Sequence, residues 1–126
     1  MAVPITALYG AIHAVFNVAL AANVTRTRAK HQVFLGSDNP EVQLAVRRHG
    51  NHAEFTPFAV LLLLLAELNG GGATVLHVLG AALTLGRVLH VLGVGPTPTP
   101  PRALGAVLTW LTIVAAGGYA LVLALR

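Results

Sequence analysis

Cysteine is absent from this chain of 126 residues. A chain without cysteine forms no disulfide bridge, offers no thiolate nucleophile of its own and has no cysteine-ligated metal site. Charged residues are also scarce, at 10% of the chain, whereas a soluble domain has about a quarter. So few charges cannot cover an aqueous surface, and the composition therefore excludes an ordinary soluble protein.

Acidic residues are the rarer charged class, with four Asp and Glu against eight Lys and Arg. The basic residues gather around the ends of apolar runs instead of forming a continuous stripe, so we do not expect nucleic acid as a partner. Six histidines are present, but none has a convincing set of companion ligands. We therefore expect no metal site.

Apolar sequence is what the chain has in abundance, at 56% of its residues. A membrane-spanning helix needs about 20 mostly apolar residues. Four segments meet this requirement: residues 2–24, 42–68, 74–94 and 103–125. The sequence thus predicts one all-α domain over residues 1–126, an integral membrane four-helix bundle surrounded by membrane lipids.

Residues that begin or end helices lie between these segments. Ser37, Asp38 and Asn39 offer capping side chains, and Pro40 follows them at a first helical position. The Asn-Gly-Gly-Gly run at residues 69–72 is typical of a helix end. The Gly- and Pro-rich residues 93–101 predict a non-helical connection. Pro57 lies inside the second segment, where its missing N–H should bend the helix.

The basic residues also predict an orientation. No basic residue precedes the first apolar segment, whereas Arg26, Arg28 and Lys30 follow it, which favours a retained helix over a cleaved signal peptide. The second connection carries no charge. The positive-inside rule therefore places the first and third connections in the cytoplasm and both termini on the other side.

Polar side chains interrupt the second segment. Arg47, Asn51 and Glu54 follow the spacing i, i+4 and i+7, so they share one helical face. Arg48 and His52 form an adjacent stripe on the same helix. A charge at the bilayer centre costs about 2.5–3.5 kcal/mol, so such groups are expected to face other helices, water or a ligand.

Arg87 and His90 share a face near the end of the third segment, at the same membrane level as the polar start of the second. One interpretation is a Glu54–Arg87 ion pair that only joins two helices. The other is an anion-binding site, because the basic residues at this level outnumber the acidic ones.

The remaining polar residues and glycines suggest packing roles. His13 and Asn17, one turn apart on the first helix, are expected to bond to other helices. Glu67 and His77 lie near the opposite surface, where we expect them to contact water or headgroups. Close helix packing is expected at four glycines: Gly80, Gly86, Gly117 and Gly118.

Three stretches of the sequence resemble the MAPEG family, the membrane-associated proteins in eicosanoid and glutathione metabolism, and in particular its small bacterial members. Residues 47–57 fit the family signature R-x-x-x-N-x-x-E-x-x-P, residues 86–90 resemble its G-R-x-x-H turn, and Arg102 lies where the family has a second functional arginine. The resemblance implies a homotrimer in the bacterial inner membrane, with periplasmic termini and with glutathione bound between subunits near the cytoplasmic surface.

The resemblance also implies roles for individual residues. The expected glutathione-binding residues are Arg26, Arg47, Asn51, Glu54, Arg87 and His90. Arg28 competes with Arg26 for its position. Arg102 matches the arginine that stabilises the glutathione thiolate, so it is the expected catalytic residue. Phe55 and Val94 stand where many members have Tyr, so two phenolic hydroxyls are missing.

The function implied is a glutathione transferase that conjugates glutathione to lipophilic electrophiles, with peroxidase activity as an added option. A fixed cation that stabilises the thiolate suits a chain without cysteine. The alternative is a non-catalytic trimeric membrane protein that binds another anionic ligand or a lipid. A small transporter is less favoured, because the ionisable groups gather at one surface.

Overall fold

The computed structural model describes residues 2–126, and within them every regular element is an α-helix. The four helices are α1 (Pro4–Lys30), α2 (Pro40–Leu68), α3 (Ala73–Gly93) and α4 (Pro100–Ala124). All four are long and apolar enough to cross a bilayer. The prediction of an all-helical integral membrane protein with four spanning helices is therefore confirmed.

Side-chain caps and proline set two of the helix starts. The Asn39 side chain accepts hydrogen bonds from the backbone N–H groups of Glu41 and Val42, and Pro40 occupies the first turn, as predicted. Thr99 caps α4 in the same way, and the helix begins at Pro100. The expectation that residues 93–101 are wholly non-helical is wrong at both ends, because α3 includes residue 93 and proline fits the first turn of a helix.

Helix α1 continues beyond the apolar stretch that revealed it. The segment predicted from hydropathy stopped at residue 24, whereas the helix ends at Lys30 and contains Arg26 and Arg28. Arg and Lys are good helix formers and interact favourably with a helix C-terminus. Hydropathy thus locates the end of the apolar surface here, and the helix extends past it.

Glu67, from the end of α2, caps the start of α1. Its two carboxylate oxygens accept hydrogen bonds from the backbone N–H groups of Ile5 (3.0 Å) and Thr6 (2.7 Å). No side chain next to the start of α1 in the sequence forms such a cap. The expectation for Glu67 named only water or headgroups, and the structure adds the orphan N–H groups of another helix as partners.

Glycines bring α3 and α4 together. A Cβ on Gly105 would collide with the backbone of His90 and Gly86, and one on Gly93 with the backbone of Arg102. The close packing expected at Gly80 and Gly86 is present, against the Tyr9 ring and the α4 backbone respectively. Gly117 makes only ordinary contact with Leu62, and nothing lies near Gly118, so neither is a close-approach position in this chain.

The apolar core lies in one half of the bundle. It consists of Leu63, Ala66, Leu76, Leu79, Ala116 and Ala120. These residues belong to the end of α2, the start of α3 and the end of α4. The opposite half, where α2 starts and α3 ends, contains the polar residues described next.

Candidate functional site

Arg87 is the centre of the polar half of the bundle. It is 1% exposed although it carries a guanidinium group. One of its terminal nitrogens donates to the Asn51 side-chain oxygen at 2.7 Å, and the other lies 3.4 Å from the Thr109 hydroxyl. The three residues come from α3, α2 and α4, so this contact joins three helices.

Glu54 does not neutralise this buried charge. Both ion pairs formed by the described residues involve Glu41, whose carboxylate bonds Lys30 at 2.9 Å and His31 at 2.7 Å. Glu54 is exposed, and the interpretation as a Glu54–Arg87 ion pair is therefore not supported. Arg87 is a desolvated cation that the described residues of this chain hold with neutral oxygens, an arrangement that favours a negatively charged partner.

Arg48 is a member of this cluster that sequence reasoning assigned to a neighbouring stripe. Its guanidinium donates to the backbone carbonyl of Val94 at 2.7 Å, which links α2 to the end of α3. The residue is half-buried. The spacing i, i+3 between Arg48 and Asn51 is the signal that places both on the side of α2 next to α3.

Three buried nitrogens in this half have no hydrogen-bond partner among the described residues: Arg48 Nε, Arg87 Nε and His90 Nδ1. His90 is 5% exposed and lies one turn beyond Arg87 on α3. Buried polar groups are nearly always hydrogen-bonded. The unmet hydrogen-bonding capacity of these covered atoms would be satisfied best by anionic oxygens.

The other predicted site residues are exposed and do not join this cluster within one subunit. Arg26, Arg47, Glu54 and Arg102 all have exposed side chains. The backbone of Arg102 packs closely against Gly93, whereas its side chain is exposed. Thus the structure brings Asn51, Arg87 and His90 to one end of the bundle, and it leaves these four on the surface.

Comparison with known proteins assigns the chain to a family. The model of the MAPEG family matches residues 6–122. The chain belongs to the MAPEG family. It is also 32% identical over 111 residues to the inner membrane protein YecN of Escherichia coli K12, a match that covers 87% of this chain and 85% of the relative. The YecN protein of E. coli O6:H1 matches with the same identity and coverage.

Two residues that depart from the MAPEG signature have packing roles in this member. The Phe55 ring lies 6.5 Å from the Trp110 ring, between centroids, so it packs α2 against α4. Val94 is buried and presents its backbone carbonyl to Arg48. Where many MAPEG proteins have a phenolic hydroxyl, this one has an apolar contact and a backbone acceptor.

A second polar cluster of this MAPEG protein lies deeper in the bundle. His52 bonds Asn17 through Nδ1 (3.3 Å) and His13 through Nε2 (3.3 Å). His13 in turn lies 3.4 Å from the Thr84 hydroxyl. The prediction that His13 and Asn17 bond to other helices is confirmed. His52, expected beside Arg48 at the site, instead joins α2 to α1.

Proposed function

We propose that this protein is a membrane-bound glutathione transferase that conjugates glutathione to lipophilic electrophiles. The observation that carries the proposal is Arg87, a buried guanidinium with no carboxylate partner in its subunit. Membership of the MAPEG family supports glutathione as the anion. The E. coli relative, an inner membrane protein by name, supports the bacterial inner membrane as the location.

The residues at the polar end suit a peptide with two carboxylates. The unpaired Nε groups of Arg48 and Arg87 supply hydrogen-bond donors with no protein acceptor of their own, and His90 Nδ1 adds another in the tautomer that carries its proton there. Asn51 already orients Arg87 and would also line the ligand. Charge-assisted hydrogen bonds from Arg to carboxylate are the strong class, and the fork of guanidinium matches two oxygens.

Exposed site residues complete the proposed pocket from a neighbouring subunit. Arg47 and Glu54 lie on the outer face of α2, and Arg102 lies on the first turn of α4. In the proposed homotrimer, this face of α2 in one subunit would meet the start of α4 in the next, so that Arg47 and Arg102 would bind one ligand. Arg26, at the exposed end of α1, would bind a carboxylate at the rim.

The chemistry requires a stabilised sulfur anion. Glutathione supplies the thiol, which reacts as a thiolate. Arg102 is the proposed catalytic residue, because its guanidinium lies at the N-terminal end of α4, where the helix dipole adds positive potential. The positive charge of the Arg102 guanidinium and the positive end of the α4 dipole both favour the ionised form of a thiol held beside them.

The lipophilic substrate has an apolar route from the bilayer. A groove of about 390 Å³ on the surface between α2 and α4 is lined by apolar side chains: Phe55, Phe58, Leu61, Leu62, Trp110, Ile113 and Val114. It begins one residue after Glu54, at the level of the proposed pocket. An apolar electrophile dissolved in lipid is expected to enter along this groove.

Glutathione binding by purified protein tests the proposal. We expect saturable binding to the wild type in detergent, measured by calorimetry. The Arg47→Ala variant should bind about ten- to a hundredfold more weakly, the loss typical of a hydrogen bond between charged groups. Arg126→Ala removes the same charge at the other end of α4 and should bind normally.

Thiolate formation separates catalysis from binding. Wild-type protein with glutathione should show the ultraviolet difference absorbance of a thiolate, and Arg102→Ala should lose it while it still binds glutathione. Absence of saturable glutathione binding would refute the proposal. Binding without a thiolate signal or turnover of a lipophilic electrophile would instead favour a non-catalytic anion-binding protein.

A further inference from the structure

A cavity of about 250 Å³ lies between α1 and α2, away from the Arg87 cluster. Its lining residues are Gly10, His13, Ala14, Asn17, His52, Ala53, Thr56, Pro57 and Val60. They come from the first half of α1 and the middle turns of α2. Ala14, Ala53 and Pro57 are exposed, so the cavity opens sideways between the helices.

The wall of the cavity contains a polar group without a partner. Thr56 is 4% exposed, and its hydroxyl makes no hydrogen bond to any described residue. A buried threonine hydroxyl usually bonds to a carbonyl of its own helix, as Thr109 and Thr112 do in α4. The hydroxyl is covered in the rotamer observed, and the second χ1 rotamer open to a helical threonine would turn it toward a molecule in the cavity.

Proline adds an acceptor to the same wall. Pro57 has no N–H, so the carbonyl of Ala53, four residues earlier, receives no helix hydrogen bond from it. Both residues line the cavity. Opposite them on α1, Asn17 uses its side-chain oxygen to bond His52, while its amide nitrogen makes no bond to the described residues. The wall therefore offers both donors and an acceptor.

The two histidines of the wall are already engaged. His13 and His52 bond each other, and their remaining ring nitrogens face Thr84 and Asn17. They fix the polar floor of the cavity without competing for a ligand. None of the lining residues is Asp, Glu, Lys or Arg, so a charged ligand would be desolvated here without an ionic partner.

We propose that this cavity binds an uncharged lipophilic alcohol or phenol that enters from the bilayer. A hydroxyl can donate to the Ala53 carbonyl and accept from Thr56 or Asn17, whereas a ketone or an ether only accepts and leaves the carbonyl unpaired. A cavity of about 150 Å³ holds benzene, so this larger one accommodates a two-ring compound. The site does not depend on glutathione.

Binding of 2-naphthol to full-length protein in lipid nanodiscs tests the proposal, with naphthalene as the matched probe that lacks the hydroxyl. Equilibrium dialysis should show saturable 2-naphthol binding above that of protein-free nanodiscs. Naphthalene should bind about three- to tenfold more weakly, the share of one to two buried hydrogen bonds.

Two variants assign the binding to this cavity. Thr56→Val keeps the shape and breaks no existing hydrogen bond, and it should reduce the preference for 2-naphthol over naphthalene about threefold or more. Gly10→Val places methyl groups in the cavity, where the nearest atom to a new Cβ is 3.7 Å away. It should abolish the binding of 2-naphthol and of naphthalene. Thr112→Val, which loses only a hydrogen bond to the carbonyl of Leu108 in its own helix, and Gly118→Val make the same substitutions away from the cavity and should bind both probes normally.

The proposal is overturned by either of two results. One is uptake of 2-naphthol no greater than in protein-free nanodiscs, as expected if a second copy of the chain covers the opening. The other is saturable binding that Gly10→Val leaves unchanged. Because no arm contains glutathione, these results are independent of the proposed transferase function.

Discussion

Arg87 and Glu67 are two ionisable side chains whose charges are stabilised inside the bundle without an ion pair. Arg87 is held by the neutral oxygens of Asn51 and Thr109. Glu67 is held by two backbone N–H groups at the start of α1. At the residue scale they differ in one respect. The Glu67 carboxylate is matched by the positive end of a helix dipole, whereas Arg87 has no ion-pair partner among the described residues of the chain.

The Glu67 contact predicts a loss of stability on removal of its charge. Glu67→Gln replaces one acceptor oxygen with an NH₂ group that faces another donor, and it weakens the interaction with the helix dipole. We expect the free energy of unfolding to fall by about 1–2 kcal/mol, measured by denaturant titration in detergent. Glu41→Gln, at an exposed ion pair, is the control and should have a smaller effect. Equal losses in both variants would contradict the cap.

At the scale of elements, the crossing of α3 and α4 positions the site. Gly86, Gly93 and Gly105 allow the two backbones to touch, and this contact holds Arg102 beside the end of α3. Small residues at membrane helix interfaces permit such approach. A wider separation of these helices would move Thr109 away from Arg87.

Gly105→Ala tests this crossing. The new Cβ would collide with the backbone of His90 and lie 2.6 Å from the Gly86 carbonyl oxygen, and backbone atoms cannot rotate away. We expect a loss of about 1–3 kcal/mol in the free energy of unfolding, as for other overpacked sites. Gly118→Ala is the control on the same helix, since nothing lies within 4 Å of its new Cβ. Undiminished stability of Gly105→Ala would refute the close crossing.

At the scale of the whole molecule, the surface has two kinds of exposed residue. Large apolar side chains such as Val15, Phe58 and Val114 suit contact with lipid. The exposed charges of Arg47, Glu54 and Arg102 suit water, a ligand or another subunit. Their position on the outside of the bundle favours the trimer implied by the MAPEG resemblance, in which subunit contacts would cover them.

Native mass spectrometry from detergent checks the oligomeric state. We expect a species of three times the 13.1 kDa protomer mass. We expect Glu54→Arg to lower the fraction of this species, because the new cation would join Arg47 and Arg102 at the proposed subunit contact. Lys30→Glu, a charge reversal at the exposed last residue of α1, is the control. A monomer that binds glutathione with full affinity would contradict the shared pocket.

Much of this fold was predictable because the hydrocarbon core of a bilayer offers no hydrogen-bond partner to the backbone. Long apolar segments can satisfy their backbone only as helices, so four spans were readable from composition and from breakers such as Asn39 and Gly70. The site was partly readable. Helical periodicity grouped Asn51 with Arg47 and Glu54, but it could not tell which edge of that face meets α3. The answer depends on helix rotation, which places Asn51 and Arg48 inward and the other two outward.

The sequence by itself determined that the chain spans a membrane, that it does so with four helices, and that it resembles the MAPEG family. It could do so because hydropathy and local capping act within a few turns of chain. Only the tertiary structure decided which polar groups meet. In that structure Arg87 bonds Asn51 instead of Glu54, and Glu67 caps the start of α1. The Thr56 hydroxyl, in the wall of a cavity, makes no hydrogen bond to a described residue. These choices follow from how the helices rotate and cross, and that geometry comes from glycine contacts and packing between residues far apart in sequence.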